Sequence, residues 1–234
     1  ARLVVTVTDG FAETLRGRGV ERAETLCNGV ELAGLAWAPA RRREPGDLHV
    51  LYLGNMGESQ GLERLVEAAA ELRQSRPGVR VRLVGAGTRR GELEARNAEL
   101  ASPAEILPAC YGEDAAAQYA WADTLVVALR PDWPSFRHTV PSKTYEVLAV
   151  GRHVTGMVTG EAARTLEDAG GADVIGPRVA DLVAHLTALA DDPARTDVGE
   201  GGRPWVRRHA DLPSVARRYV RLLGQLVPDY RRHA

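Results

Sequence analysis

The chain has 234 residues, of which 44% are apolar, 26% charged and 5% aromatic, a globular composition long enough for about one and a half domains of ~150 residues. Thirty Lys and Arg against 31 Asp and Glu leave a formal net charge of -1, which argues against a partner such as nucleic acid, whose binding draws on many phosphate contacts. No apolar stretch approaches the roughly 20 residues needed to cross a bilayer, no basic leader precedes a long apolar run, and Cys27 and Cys110 are too few and too distant for a disulfide framework, so a soluble chain in a reducing, cytoplasmic compartment is expected.

Short apolar runs alternate with helical periodicity from end to end, the pattern of a Rossmann-like, doubly wound parallel α/β sheet with helices on both faces. A strand over 3–8, a helix over 11–18 and a further strand over 23–27 come first, and the Asn28-Gly29 turn leads into 38–47, which holds Arg41, Arg42, Arg43, Pro45 and Gly46 and reads as a linker. Strands are then predicted over 48–53, 79–84, 104–107, 124–129, 153–158 and 172–175, with helices over 61–74, 91–100, 114–121, 142–150 and 161–168 between them. The tail reads as helical over 179–190, in part over 193–209, and over 213–227. The chain starts without Met and reads as a piece of something longer.

An open parallel sheet binds its ligand outside the carboxyl ends of its strands, which directs attention to the loops 54–60, 85–90, 108–113 and 130–141. In Leu53-Gly54-Asn55-Met56-Gly57-Glu58-Ser59-Gln60-Gly61, glycines join a strand to a helix, where backbone amides and the helix dipole favour a phosphate; a tight turn with glycine serving geometry alone is the other reading. Gly85-Ala86-Gly87-Thr88-Arg89-Arg90 is a similar loop with two guanidiniums that either reach an anion or are solvated.

The sharpest segment is Val140-Pro141-Ser142-Lys143-Thr144-Tyr145-Glu146. Pro141 keeps the preceding residue extended, Ser142 is a candidate N-cap, and Lys143 sits in a first turn where a cation opposes the helix dipole unless an anion is near. Glu146 shares the face of Lys143 at i+3, so ammonium and carboxylate either point into one cleft or simply form a local pair. The six histidines show no zinc spacing, and there is no Asp-x-Asp, no G-x-S-x-G and no activated cysteine, so neither a metal nor hydrolase chemistry is expected.

These pieces in this order resemble the donor-binding, carboxyl-terminal half of the retaining nucleotide-sugar glycosyltransferases of GT-B type, glycosyltransferase family 4. The similarity rests on Gly54 to Gly61 followed by Leu62-Glu63-Arg64-Leu65-Val66-Glu67-Ala68-Ala69, Val81 to Gly87, Ala122-Asp123, and Pro141 to Gly151 followed by His153-Val154. Residues 1–37 then resemble the end of an amino-terminal acceptor domain, with Asn28-Gly29-Val30-Glu31 at the junction, and 38–234 the donor domain with its terminal helices.

The resemblance implies a nucleoside-diphosphate sugar as donor, no cofactor, and a hydroxyl acceptor held by the absent domain. It makes Glu146 the acceptor of the ribose hydroxyls, Gly54, Asn55, Met56, Gly57 and Ser142 the diphosphate cradle, and Lys143 the group that neutralises the leaving diphosphate. Gly85, Gly87, Arg89, Leu107, Arg137, His138 and Thr139 complete the expected nucleotide-sugar site. The chain departs from the pattern at Asn55 and Gln60, where the family has Arg and Lys, and at His138, where it has a glutamate.

The expected activity is metal-independent glycosyl transfer with retention, in bacterial surface polysaccharide or glycoconjugate synthesis. The setting is the cytoplasm or the inner face of the membrane, with membrane contact through the absent domain. A non-catalytic nucleotide-binding or assembly module is the alternative, and a sugar-nucleotide epimerase a third reading. The amphipathic stretch 214–227 with Val215, Tyr219, Leu222, Leu223 and Leu226 needs a partner surface, the other domain or a second copy.

Overall fold

The structure, a computed structural model, describes residues 2–226; the last residue of the expected tail helix, Val227, lies outside them. Six strands, β3 (Leu48–Asn55), β4 (Val79–Ala86), β5 (Ala104–Leu107), β6 (Thr124–Ala128), β7 (His153–Met157) and β8 (Ala172–Val174), form one sheet in the order β5-β4-β3-β6-β7-β8. Every pairing is parallel. The chain winds outward in one direction from β3 and in the other from β6, so the order reverses between these two strands, where a doubly wound sheet opens a crevice.

Both faces are covered, and the central β6 and its neighbour β7 are buried at every position, whereas β4 keeps Arg80 exposed and Arg82 half-buried. Leu48, Val50 and Tyr52 pack with α2 (Glu63–Ser75) and α7 (Val179–Asp191), and α3 (Arg90–Glu99) adds Leu93 to that layer. Leu51 and Leu53 face the layer of α4 (Gly112–Trp121), α5 (Ser142–Val150), α6 (Gly160–Ala169) and α8 (Arg203–His209). The expected parallel α/β sheet is therefore present. The elements begin and end within a few residues of their predicted positions, with one informative difference. β3 and β4 run two residues past Leu53 and Val84, because the pairs Gly54–Gly85 and Asn55–Ala86 continue the ladder.

The amino-terminal β1 (Val4–Thr6), α1 (Asp9–Gly17) and β2 (Ala23–Thr25) make a separate two-stranded parallel sheet. The last helix, α9 (Leu212–Leu226), starts beside it: the Val30 amide donates to the Ala210 carbonyl at 2.8 Å and the Leu212 amide to the Val30 carbonyl at 3.0 Å. Arg22 of the small unit donates to Gln225 of α9, and Leu222 is the buried residue of that helix.

The segment read as a linker, 38–47, has no regular secondary structure but is held fast. Arg41 grips Asp123 through two hydrogen bonds of 3.2 and 2.8 Å. The Asp123 carboxylate, 1% exposed, also accepts the His49 amide at 2.8 Å. Arg43 is equally buried and donates to the Leu189 carbonyl at 2.6 Å and to the Asp47 carbonyl. Two arginines that composition assigns to solvent thus tie this segment to the sheet and to α7.

Candidate functional site

A cavity of about 990 Å³ opens at the carboxyl ends of β3 and β4, bounded by Gly54, Asn55, Gly85, Tyr119, Lys143 and Glu146. The strand ends approach so closely that a Cβ on Gly85 would collide with the Gly54 carbonyl, and one on Gly87 with the Met56 carbonyl. Both positions are restricted to glycine by this contact alone. It brings two loops together at one side of the cavity.

Helix α5 supplies the charged groups. Its N-cap is Pro141, in extended conformation, and no side chain caps it; Ser142, expected as the cap, is the first helical residue instead. Lys143 Nζ donates to Glu146 Oε2 at 2.7 Å, and the Tyr119 hydroxyl donates to Glu146 Oε1 at 2.5 Å. Lys143 also reaches the Tyr119 hydroxyl at 3.4 Å. Burial, then the Glu146 charge, pushes the Tyr119 phenol far above its ordinary value, so it stays a donor. The result is a carboxylate with each oxygen engaged, facing open space beside an ammonium.

The first glycine loop is less free than its sequence implies. The Met56 side chain is buried in the core and its amide donates to the Ala86 carbonyl at 2.8 Å, a consequence of the longer strands. The Gly57 amide donates to the Gln60 side chain at 3.0 Å. Gln60, one of the positions where the resemblance leads one to expect a cation, therefore occupies an amide that an anion would otherwise use.

Several expected site residues do not line the cavity. Arg89 pairs with Glu92 at 2.8 Å, while its neighbour Arg90 donates to the Gly85 and Leu107 carbonyls at 2.7 and 3.0 Å and braces the strand ends. Leu107 is engaged through that carbonyl. Arg137 and His138 belong to the 3-10 turn Pro134–His138, and the His138 carbonyl accepts from the Thr8 hydroxyl of the small unit at 2.7 Å. The Thr139 hydroxyl donates to the Ser135 carbonyl at 3.3 Å, and Ser142 is exposed outside the cavity lining. The turn with Arg137 and His138 stands at the junction with β1 and α1, whereas Gly54, Asn55, Gly85, Lys143 and Glu146 meet at the cavity.

The loop 108–113, singled out by its place after β5, does contribute 109–112 to the cavity, whereas Tyr119 and Arg152 are lining residues that sequence reasoning missed. Arg152 is buried, donates to the Ala120 carbonyl at 2.8 Å, and has its Nε without a partner; burial lowers its basicity. Local pattern carries no signal for Tyr119 and Arg152, since their approach depends on how α4 and the 34–39 segment pack.

The pattern described as "Glycosyl transferases group 1" matches residues 47–192. The chain is 31% identical to D-inositol 3-phosphate glycosyltransferase of Pseudarthrobacter chlorophenolicus, in a match covering 97% of this chain and 58% of that protein. Among solved structures it resembles sucrose-phosphate synthase from Thermosynechococcus elongatus, with a TM-score of 0.78, 21% identity, and 97% of this chain against 59% of that one. Anabaena HepE, solved in complex with UDP and glucose, superposes with a TM-score of 0.77 at 16% identity over 96% of this chain and 63% of that one. The chain thus spans somewhat under two thirds of the length of these proteins. Its fold is that of the GT-B glycosyltransferases, and the chain belongs to the group 1 glycosyltransferases.

Proposed function

We propose that this chain is the nucleotide-sugar donor-binding part of a retaining glycosyltransferase of family 4, with residues 38–234 as donor domain and 1–37 as the end of an acceptor domain. The observation that carries this reading is the Lys143–Glu146–Tyr119 constellation over a large cavity at the strand-order reversal. Glu146 accepts the ribose hydroxyls, exchanging its bonds to Lys143 and Tyr119 for bonds to the donor. Lys143, released from that pair, turns to the diphosphate.

In the transfer step the bond between the anomeric carbon and the diphosphate oxygen breaks through an oxocarbenium-like state, and negative charge grows on the departing phosphate. Lys143 and the positive start of α5 stabilise it, a preorganised electrostatic role. The acceptor hydroxyl attacks from the same face, forms the new bond to the anomeric carbon and gives its proton to the departing diphosphate oxygen. The Lys143 ammonium does here what a metal held by an Asp-x-Asp pair does elsewhere, so the proposed chemistry needs no metal ion. The UDP bound in Anabaena HepE supports a nucleoside diphosphate as the ligand class. Synthesis of bacterial surface glycoconjugates at the cytoplasmic side of the membrane is the setting we propose.

The test is isothermal titration of the chain with UDP, GDP, TDP and ADP, repeated with Glu146→Ala and Lys143→Ala. Binding selective for one diphosphate and weakened about tenfold or more by each substitution is expected. Absence of binding to a folded chain overturns the proposal.

A further inference from the structure

At the opposite end of the sheet, three side chains with no part in the donor site come together. His153 opens β7, Asp173 lies on β8 and His185 on α7. His153 Nε2 stands 3.4 Å and His185 Nδ1 3.8 Å from the same oxygen, Asp173 Oδ2, and one ligand-type atom from each residue lies within 4.8 Å of the others. Both nitrogen–oxygen separations exceed the usual N–H···O range. They are close to the distance between neighbouring ligands around tetrahedral zinc, about 3.3–3.5 Å when metal–ligand bonds are ~2.0–2.1 Å.

The outer nitrogens of both rings are already engaged. His153 Nδ1 meets the Thr124 hydroxyl at 2.9 Å and His185 Nε2 meets the Thr155 hydroxyl at 3.1 Å, while the two hydroxyls bond each other at 2.8 Å. Metal-binding imidazoles are oriented in this way, by a partner on the nitrogen that does not bind the metal. Thr124, His153 and Thr155 occupy the sheet face that elsewhere carries Val126, Ala128 and Met157 in the core, and polar groups there are costly unless fully satisfied.

Proton counting shows what is lacking. The chain of three bonds from His153 through the two threonines to His185 holds two hydroxyl protons, so one ring must donate the third. With both rings neutral, that donor ring turns a bare lone pair toward the Asp173 carboxylate. A cation between them removes the repulsion.

We propose that His153, Asp173 and His185 bind a zinc-class divalent ion, with water as the fourth ligand, clipping the short edge strand β8 to β7 and α7. Two imidazoles and one carboxylate suit zinc, cobalt or nickel rather than magnesium or calcium, which favour oxygen ligands. Arg195 Nη2 stands 3.5 Å from Asp173 Oδ2 on a half-exposed side chain and swings outward when the ion enters. The ligands are scattered along the chain, so no zinc motif appears in the sequence.

The test uses tag-free protein, stripped with chelator and desalted, titrated with zinc chloride and with cobalt chloride. About one equivalent is expected to bind, with the visible absorption of tetrahedral cobalt and a zinc-dependent rise in the thermal unfolding midpoint. Asp173→Asn and His185→Gln each weaken binding about tenfold or more, and Thr155→Val about 10- to 100-fold through the lost ring partner. Arg195→Ala strengthens binding severalfold, an outcome that mere damage to the fold would not produce. The proposal is overturned by absence of stoichiometric binding, which leaves a proton as the only cation of the cluster, or by binding that both ligand variants retain in full.

Discussion

The Tyr119 hydroxyl and Glu146 Oε1 are 2.5 Å apart, on two helices whose side chains meet only because α4 and α5 cover the same face of the sheet. A donor that takes Glu146 through its ribose must replace this bond. Tyr119→Phe removes the competitor, and nucleotide affinity is expected to rise about 2- to 10-fold, the value of one net hydrogen bond. Titration with the preferred diphosphate checks this, and weaker binding by the variant would instead make Tyr119 a support for the carboxylate in the bound state.

Gln60 closes the Gly57 amide with its side-chain oxygen at 3.0 Å. Gln60→Glu keeps the shape and places a negative charge where a phosphate is expected. A loss of about tenfold in diphosphate affinity is expected from the like-charge contact, and Gln60→Lys should move it in the opposite direction. Equal affinities for all three proteins would remove this loop from the diphosphate site.

Asp123 is the buried partner of Arg41 and the acceptor for the His49 amide, with Arg43 at 3.8 Å. Asp123→Ala leaves the His49 amide unpaired and takes the neighbouring negative charge from the buried Arg43, while Arg41 keeps only Asp47. Breaking a buried pair from one side costs about 3–5 kcal/mol, so the midpoint of urea unfolding should fall steeply. A change below about 1 kcal/mol, within the range of exposed pairs, would show that 38–47 is not held through this carboxylate.

His49 stacks on Trp121 with centroids 4.2 Å apart, and burial holds its imidazole below the usual 6.5, against the opposing effect of the Trp121 carbonyl. Asp47 stands 3.7 Å away. The folded state therefore takes up this proton at lower pH than the unfolded chain does. Stability is complete above about pH 6.5 and declines as the pH falls toward the folded value. Urea unfolding between about pH 7.5 and 5 should show a smaller acid-side loss for His49→Gln than for the parent chain.

Much of the sheet was legible because its strands are buried on both faces and its breaks carry glycine or proline. Leu48 to Leu53 and Pro141 to Val150 illustrate both signals. Helical spacing alone placed Lys143 and Glu146 side by side. Local pattern could not assign Arg89 and Arg90, adjacent residues whose partners, Glu92 for one and the Gly85 and Leu107 carbonyls for the other, are fixed by strand-end geometry. Nor could it foresee that Gly54 and Gly85 would pair rather than turn, which spends the Met56 amide on Ala86. Tyr119 was silent because a tyrosine on a helix is ordinary until another helix brings a carboxylate to it.

The small β1–α1–β2 unit is joined to the large sheet twice, once through residues 26–47 and once through the return into α9, and the two crossings bond each other at Val30, Ala210 and Leu212. A body suspended by one cord can turn about any axis. One carried on two adjacent straps behaves as a door, swinging about the line between them and resisting twist. Rotation about that line would stretch the opposite edge, where the Thr8 hydroxyl is bonded to the His138 carbonyl of the 134–139 turn and so latches it.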